Sequence, residues 1–140
     1  MEKVELASPE WMSLLAGLLQ DYARRLPPGL ELRLCEVFTN VPPHLDRGGD
    51  GRLAWRCAIA GGRAEFSEGI DPDADLLSEA DYSFILRVAR WIYTPEVMAE
   101  VEAYKARGVA EGKYRTGGRD PAKTPALLKE MHNELARRTQ

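Results

Sequence analysis

Side chains able to do chemistry are few in this 140-residue chain: two histidines, His44 and His132, and two cysteines, Cys35 and Cys57. His44 sits in the turn "PPHLD", two residues before Asp46. That spacing allows an acid–base pair, but in a turn it more often leaves two solvated groups. His132 flanks the apolar stripe of a C-terminal helix. Neither cysteine has a neighbouring histidine or a CxxC partner, which leaves thiol catalysis and metal binding without support. The glycine pairs at 48, 61 and 117 lack the strand-to-helix context of phosphate loops. Five acids between Ile70 and Asp81 lack the ligand spacing and central glycine of a calcium loop, and read as a solvated connection. No catalytic residue, metal or cofactor is expected.

One carboxylate stands apart. Leu30, Leu32 and Leu34 alternate with Glu31, Arg33 and Cys35, the pattern of a half-buried strand. Continued strictly, the alternation carries Glu36 onto the leucine face ahead of Phe38. Either a bulge resets the register, the favoured reading, or Glu36 points inward and is paired, with Arg56 or Arg87 as the candidate partners.

Composition narrows the classes. A 44% hydrophobic and 29% charged chain of this length suits a single domain over residues 1–140 with its own core. The net charge is −3 and only Arg24-Arg25 and Arg137-Arg138 are adjacent basic pairs, so no stripe for nucleic acid builds up. The first residues are acidic and the apolar run after them is broken by Gln20 and Asp21, unlike a signal peptide or a membrane span. Two reduced thiols are therefore expected rather than a disulfide, with the cytoplasm as the default compartment.

The elements that must position these residues follow from periodicity. Ser8, Pro9 and Glu10 form a helix start, and Trp11, Leu14, Leu15, Leu18, Tyr22 and Leu26 make one stripe that "PPG" stops. After the first strand and a polar turn over 41–51, Leu53, Trp55, Cys57 and Ile59 alternate. Gly61-Gly62 is a hairpin signal leading to a third strand, "RAEFSEG". The aromatic-rich run "YSFILRVARWIY", Tyr82 to Tyr93, reads as the fourth strand. Thr94-Pro95-Glu96 opens a helix carrying Val97, Met98, Val101 and Tyr104 and ending near Gly108. "AEGKYRT" is a fifth strand, and Asp120-Pro121 or Thr124-Pro125 caps a last helix with Leu127, Leu128, Met131 and Leu135 on one side. The order predicts an α+β fold, a five-stranded mainly antiparallel sheet with helices packed on one face.

The run "VEAYKARGVAEGKYRTGGRDPAKTPALLKEMHNEL" resembles the C-terminal half of the sterol carrier protein 2-like lipid-binding domains, through Tyr104, Gly112, Lys113, Gly117 and the final leucine stripe. Upstream, "ADYSFIL" at Ala80 to Leu86 is similar to a strand of that family. The resemblance implies helices and a sheet enclosing an apolar tunnel for a fatty acyl, sterol or similar hydrophobic ligand, with the last helix as its cover. Removing residues 121–140 is then expected to cost binding while leaving much of the sheet folded. The expected lining is aromatic and flexible apolar: Phe38, Trp55, Phe66, Phe84, Leu86, Trp91, Met98, Tyr104, Leu128 and Met131. Two other readings stay open. One is an enzyme or enzyme accessory acting on an apolar substrate with Glu36, Asp81 or His44 as acid or base. The other is an oligomerisation module, a homodimer for instance, that buries its apolar face against a copy of itself. A filled core favours the latter, and a perturbed carboxylate facing a pocket favours the former.

Overall fold

The computed structural model describes residues 2–140. Ser8 Oγ accepts a hydrogen bond from Trp11 N–H at 3.1 Å and starts α1, Pro9–Ala23. The buried residues of α1 include Trp11, Leu15, Leu18, Leu19 and Tyr22, four of them on the predicted stripe. β1, Leu32–Thr39, pairs antiparallel with β2, Leu53–Ala60, and β2 with β3, Arg63–Glu68. The β2–β3 turn holds Gly61 and Gly62 both at positive φ, the geometry of a two-residue hairpin.

Past β3 the structure departs from the expected pattern. The fourth strand is β4, Leu76–Asp81, lying within the segment expected to be a solvated connection. The aromatic run after it is a helix, α2, Tyr82–Arg90. The cause is local. Asp81 caps the run by accepting from Phe84 N–H at 3.2 Å. From there Tyr82, Ile85 and Val88 recur at helical spacing and are buried, which overrides the strand propensity of single residues. Three of the five acids hold the approach to β4. Asp71 takes a two-pronged contact from Arg33 at 2.8 and 2.6 Å, Asp73 pairs with Arg119 at 2.7 Å, and Asp75 accepts from Arg33 N–H at 2.8 Å. The guanidinium beside Asp71 holds its carboxyl below the usual range.

A turn over Thr94–Val97 precedes α3, Met98–Ala110. β5, Tyr114–Gly117, pairs antiparallel with β4. A 3-10 turn, Pro121–Lys123, leads to α4, Leu127–Arg137. Neither Asp120 nor Thr124 caps α4: that turn separates Asp120 from the helix, and α4 starts beyond Thr124 with Ala126 at its N-cap position.

The sheet order is β3-β2-β1-β4-β5. It is mixed: β1 and β4 run parallel and the other neighbours antiparallel. Its inner face carries Leu32, Leu34, Phe38, Trp55, Cys57 and Ile59 against α1, α2 and α4 in one core. The outer face has a small cluster of Cys35, Val37, Ala54 and Ala74. Both cysteines are free and buried. They project from opposite faces of adjacent strands and so cannot join, and burial pushes the Cys57 thiol up to about 11. The chain ends meet in a parallel bridge between Val4 and Thr139, and Trp11 Nε1–H donates to Thr139 Oγ1 at 3.2 Å. Among the described residues no helix is long and apolar enough to cross a membrane.

Candidate ligand cavity

A cavity of about 260 Å³ lies between the inner sheet face and the helices. The α1 segment contributes Leu6, Trp11 and Leu15, β1 contributes Phe38, and β2 contributes Trp55. Leu76 of β4, Ile85, Val88 and Ala89 of α2, and Met131 and Leu135 of α4 complete its apolar wall. Polar side chains enter at a few points only: Glu36, Tyr93, Lys105, Tyr114 and His132.

Glu36 reaches the cavity because β1 has no bulge. The β1–β2 register runs unbroken from Leu32↔Ile59 to Phe38↔Leu53, so period-two alternation keeps Glu36 on the inner face. Its partner is neither expected arginine. Arg56 lies opposite Cys35 and so projects from the outer face, and the Arg87 guanidinium lies over the rings of Trp91 and Tyr104. Instead Trp55, directly across the ladder, donates its Nε1–H to Glu36 Oε1 at 2.9 Å. Burial raises the carboxyl above its ordinary 4.5, opposed by the Trp55 hydrogen bond and the Lys105 charge. Burial likewise lowers the Lys105 ammonium, with Glu102 and Glu36 opposing.

His132 is fixed by what it touches. Its Nε2 lies 2.9 Å from the Trp91 carbonyl, which can only accept, so the proton is on Nε2. The ring stacks on Tyr93 with centroids 3.8 Å apart. Burial, partly offset by the carbonyl, pushes its pKa down to about 4. Next to it, Asn133 accepts from Tyr93 N–H at 2.7 Å and donates to Tyr93 O at 2.9 Å. The α2–α3 connection is thereby held against α4.

Glu36 and His132 act in opposite directions on stability. With a raised folded value, Glu36 costs nothing below about 4.5 and becomes a liability as pH rises, because the unfolded chain ionises first. With a depressed folded value, His132 contributes stability fully present above about 6.5 and lost as pH falls towards 4. Glu36→Gln keeps the acceptor for Trp55 and removes the liability, although Lys105 loses a counter-charge. The expected result is a gain on the order of 1 kcal/mol at pH 7.5 that vanishes near pH 4, measured by urea denaturation at both values. A stability loss at pH 7.5 would show that the ionised carboxylate is needed.

Of the residues expected to line a ligand site, Phe38, Trp55 and Met131 border this cavity. Phe66 stacks behind Trp55 at 5.8 Å. Phe84 stacks on Tyr104 at 4.6 Å and on Tyr114 at 5.6 Å, while Trp91 meets Tyr104 edge-on at 5.8 Å. Leu86 and Leu128 pack at the margin of the core, and Met98 is half-buried at the start of α3. Of the three acid–base candidates only Glu36 faces the cavity. His44 Nε2 meets both Glu5 oxygens at 2.9 Å on an exposed turn. Both oxygens of Asp81 are engaged, one by the Phe84 amide and one by Asn40 Nδ2 at 2.9 Å. The expected lining left out most of the apolar wall, Leu6, Trp11, Leu15, Leu76, Ile85, Val88, Ala89 and Leu135, and the polar entrants Lys105, Tyr114 and His132.

No protein-family model matches the chain, and no curated protein is significantly similar to it. Solved structures are similar. A conserved hypothetical protein from Thermus thermophilus, described as "possibly sterol carrier protein", is 19% identical, with 97% of this chain and 93% of that one covered at a TM-score of 0.54. Sterol carrier protein domain 2 of Helicoverpa armigera is 11% identical, with 94% and 89% covered at 0.51. At such identities the likeness is one of architecture, and it extends over nearly the whole chain. The chain has the sterol carrier protein 2-like fold.

Proposed function

We propose that this protein binds or transfers a hydrophobic small molecule, of fatty acyl, sterol or similar lipid character, in the cavity between the sheet and helices α1, α2 and α4. The observation that carries this reading is an interior space of about 260 Å³ walled by Leu, Ile, Val, Met, Phe and Trp side chains in a chain small enough to have closed it. Its volume lies just below the ~300–1,000 Å³ typical of ligand pockets. Affinity comes mainly from apolar burial, at roughly 25 cal/mol per Å² removed from water. The likeness of fold to sterol carrier protein domains supports the same reading.

The test fills the space. Ala89 lines the cavity from α2, and Ala89→Phe adds a ring there. Nile red, a neutral apolar dye, is expected to bind the wild-type protein with enhanced fluorescence and to bind Ala89→Phe at least about tenfold more weakly. Circular dichroism of the variant should be unchanged. Native mass spectrometry of protein purified from cells should also show co-purified lipid. No dye binding by the wild type, or equal binding by the filled variant, overturns the proposal.

A second reading rests on Glu36 alone. A carboxyl with a raised pKa facing an apolar pocket is what an acid–base residue requires. If catalysis occurs, ligand incubated with wild-type protein is recovered chemically altered while Glu36→Gln returns it intact. Carriage returns it intact from both.

A further inference from the structure

Two groups of opposite charge face the cavity without meeting each other. Glu36 Oε1 is held by the Trp55 indole at 2.9 Å. Among the described residues nothing donates to its second oxygen, which is nonetheless not sealed from space. Lys105 lies with its Nζ 5.4 Å from the Tyr93 ring centroid and makes no contact ion pair with Glu36, although both border the same cavity. The hydroxyls of Tyr93 and Tyr114 also have no hydrogen-bond partner among the described residues and line the same space. A half-buried acceptor, a half-buried donor and two half-buried hydroxyls, left open in an otherwise apolar wall, are placed to meet the polar head of a ligand whose tail fills the rest.

Resting on the carrier reading, we propose that Glu36 and Lys105 are head-group-selecting residues, and that the ligand they complete is a single-chain amphiphile with a neutral head that both donates and accepts, a hydroxyl or a primary amide, in preference to a carboxylate.

Charge counting supplies the reason. The pair sums to zero as a carboxylate with an ammonium and again as a carboxylic acid with an amine; an acid beside an ammonium would leave +1 and favour an anionic head, the outcome that the dodecanoate probe below reads. His132, whose Nε2–H is used by the Trp91 carbonyl, adds no charge. A neutral head therefore enters without changing the net charge of an apolar enclosure. Its donor reaches the free Glu36 oxygen and its acceptor meets Lys105 or a tyrosine hydroxyl. A carboxylate head places one uncompensated negative charge there or must take up a proton on entering, and either is unfavourable in low dielectric.

Displacement of Nile red by four twelve-carbon probes at pH 7.5 tests this: dodecanol, dodecanamide, dodecanoate and dodecane. The alcohol and the amide are expected to displace the dye at concentrations at least about tenfold below dodecanoate and dodecane, the range a polar site gains from a matched head. Glu36→Gln and Lys105→Met should each shrink that preference to less than about threefold. Lys105→Met carries no new polar group and keeps the test open if the Glu36 variant misfolds. Equal displacement by all four probes, or a preference for dodecanoate, overturns the proposal while leaving the carrier reading intact. Failure of the wild-type protein to bind Nile red removes the carrier reading and this proposal together. A preference that survives both substitutions assigns selection to other residues and overturns it as well.

Discussion

Gly118→Ala is expected to destabilise the fold by about 3–5 kcal/mol, among the largest effects of any single methyl group in this chain. Gly118 has φ +117°, where a side chain is strained in any surroundings, and here there is also no room. An added Cβ would lie 2.2 Å from the Asp75 carbonyl oxygen, 2.6 Å from its carbon and 2.9 Å from the Ala74 oxygen. These are backbone atoms, and they are fixed. Arg119 N–H donates to Ala74 O at 2.9 Å and Asp120 N–H to Asp75 O at 3.1 Å, closing the chain onto the approach to β4 immediately after the clash. Relief requires breaking those bonds, and with them the alignment of the β4–β5 ladder that begins at Leu77↔Gly117. Urea denaturation should show the midpoint falling sharply with little change in slope. Gly29→Ala, at a site with no neighbour within 4 Å and no positive φ, is the control and should stay near wild type. A Gly118 variant within about 1 kcal/mol of wild type would mean that this segment is free to shift.

The same glycine pair shows what the sequence could and could not convey. A break between the fifth strand and the last helix is legible in "GG", because only glycine tolerates such backbone freely. That it is forced by two carbonyls of the 74–75 segment is not legible, since the contact is made across more than forty positions of chain. The first helix, the hairpin at Gly61-Gly62 and the overall α+β architecture follow from period and caps. The stretch from Ile70 to Tyr93 does not. Leu76–Asp81 reads as a loop because its acids look solvated, yet it is a strand between β1 and β5 whose approach is clamped by Arg33. Once Asp81 is recognised as a cap, Tyr82–Arg90 becomes a helix and the strand must end before it.

The cavity is split in the same way. Strict alternation of the leucines places Glu36 on the inner face, although a bulge is the favoured reading of the same residues. Its Trp55 partner follows from register, which no single strand reveals. Lys105 and Tyr93 reach the cavity only because α3 packs against β5 and the connection before it is held against α4, a tertiary arrangement with no periodic signal in the sequence.

Truncation after Asp120 is expected to abolish cooperative folding, a different outcome from the one the sequence alone suggests. Read as a cover, the last helix could be lost at the expense of binding only. In the structure it does more. Met131, Leu135 and Ala136 are buried, Tyr22 of α1 donates to Glu134 at 2.7 Å, and Thr139 both accepts from the Trp11 indole and bridges to Val4. Removing α4 thus strips the cavity wall, uncovers α1 and releases the N-terminal segment in one step. Losing buried leucine and methionine side chains costs about 2–5 kcal/mol each, and together with the lost bonds this approaches the whole margin of about 5–15 kcal/mol that such a domain has. Far-UV circular dichroism of the truncated chain should show no cooperative thermal transition. Leu135→Ala, which removes one wall residue and keeps the Thr139 anchor, should stay folded with stability lowered by about 2–5 kcal/mol. A truncated chain that keeps a sharp transition and the strand signal would restore α4 to the lesser part of a lid, with the sheet and α1 stable without it.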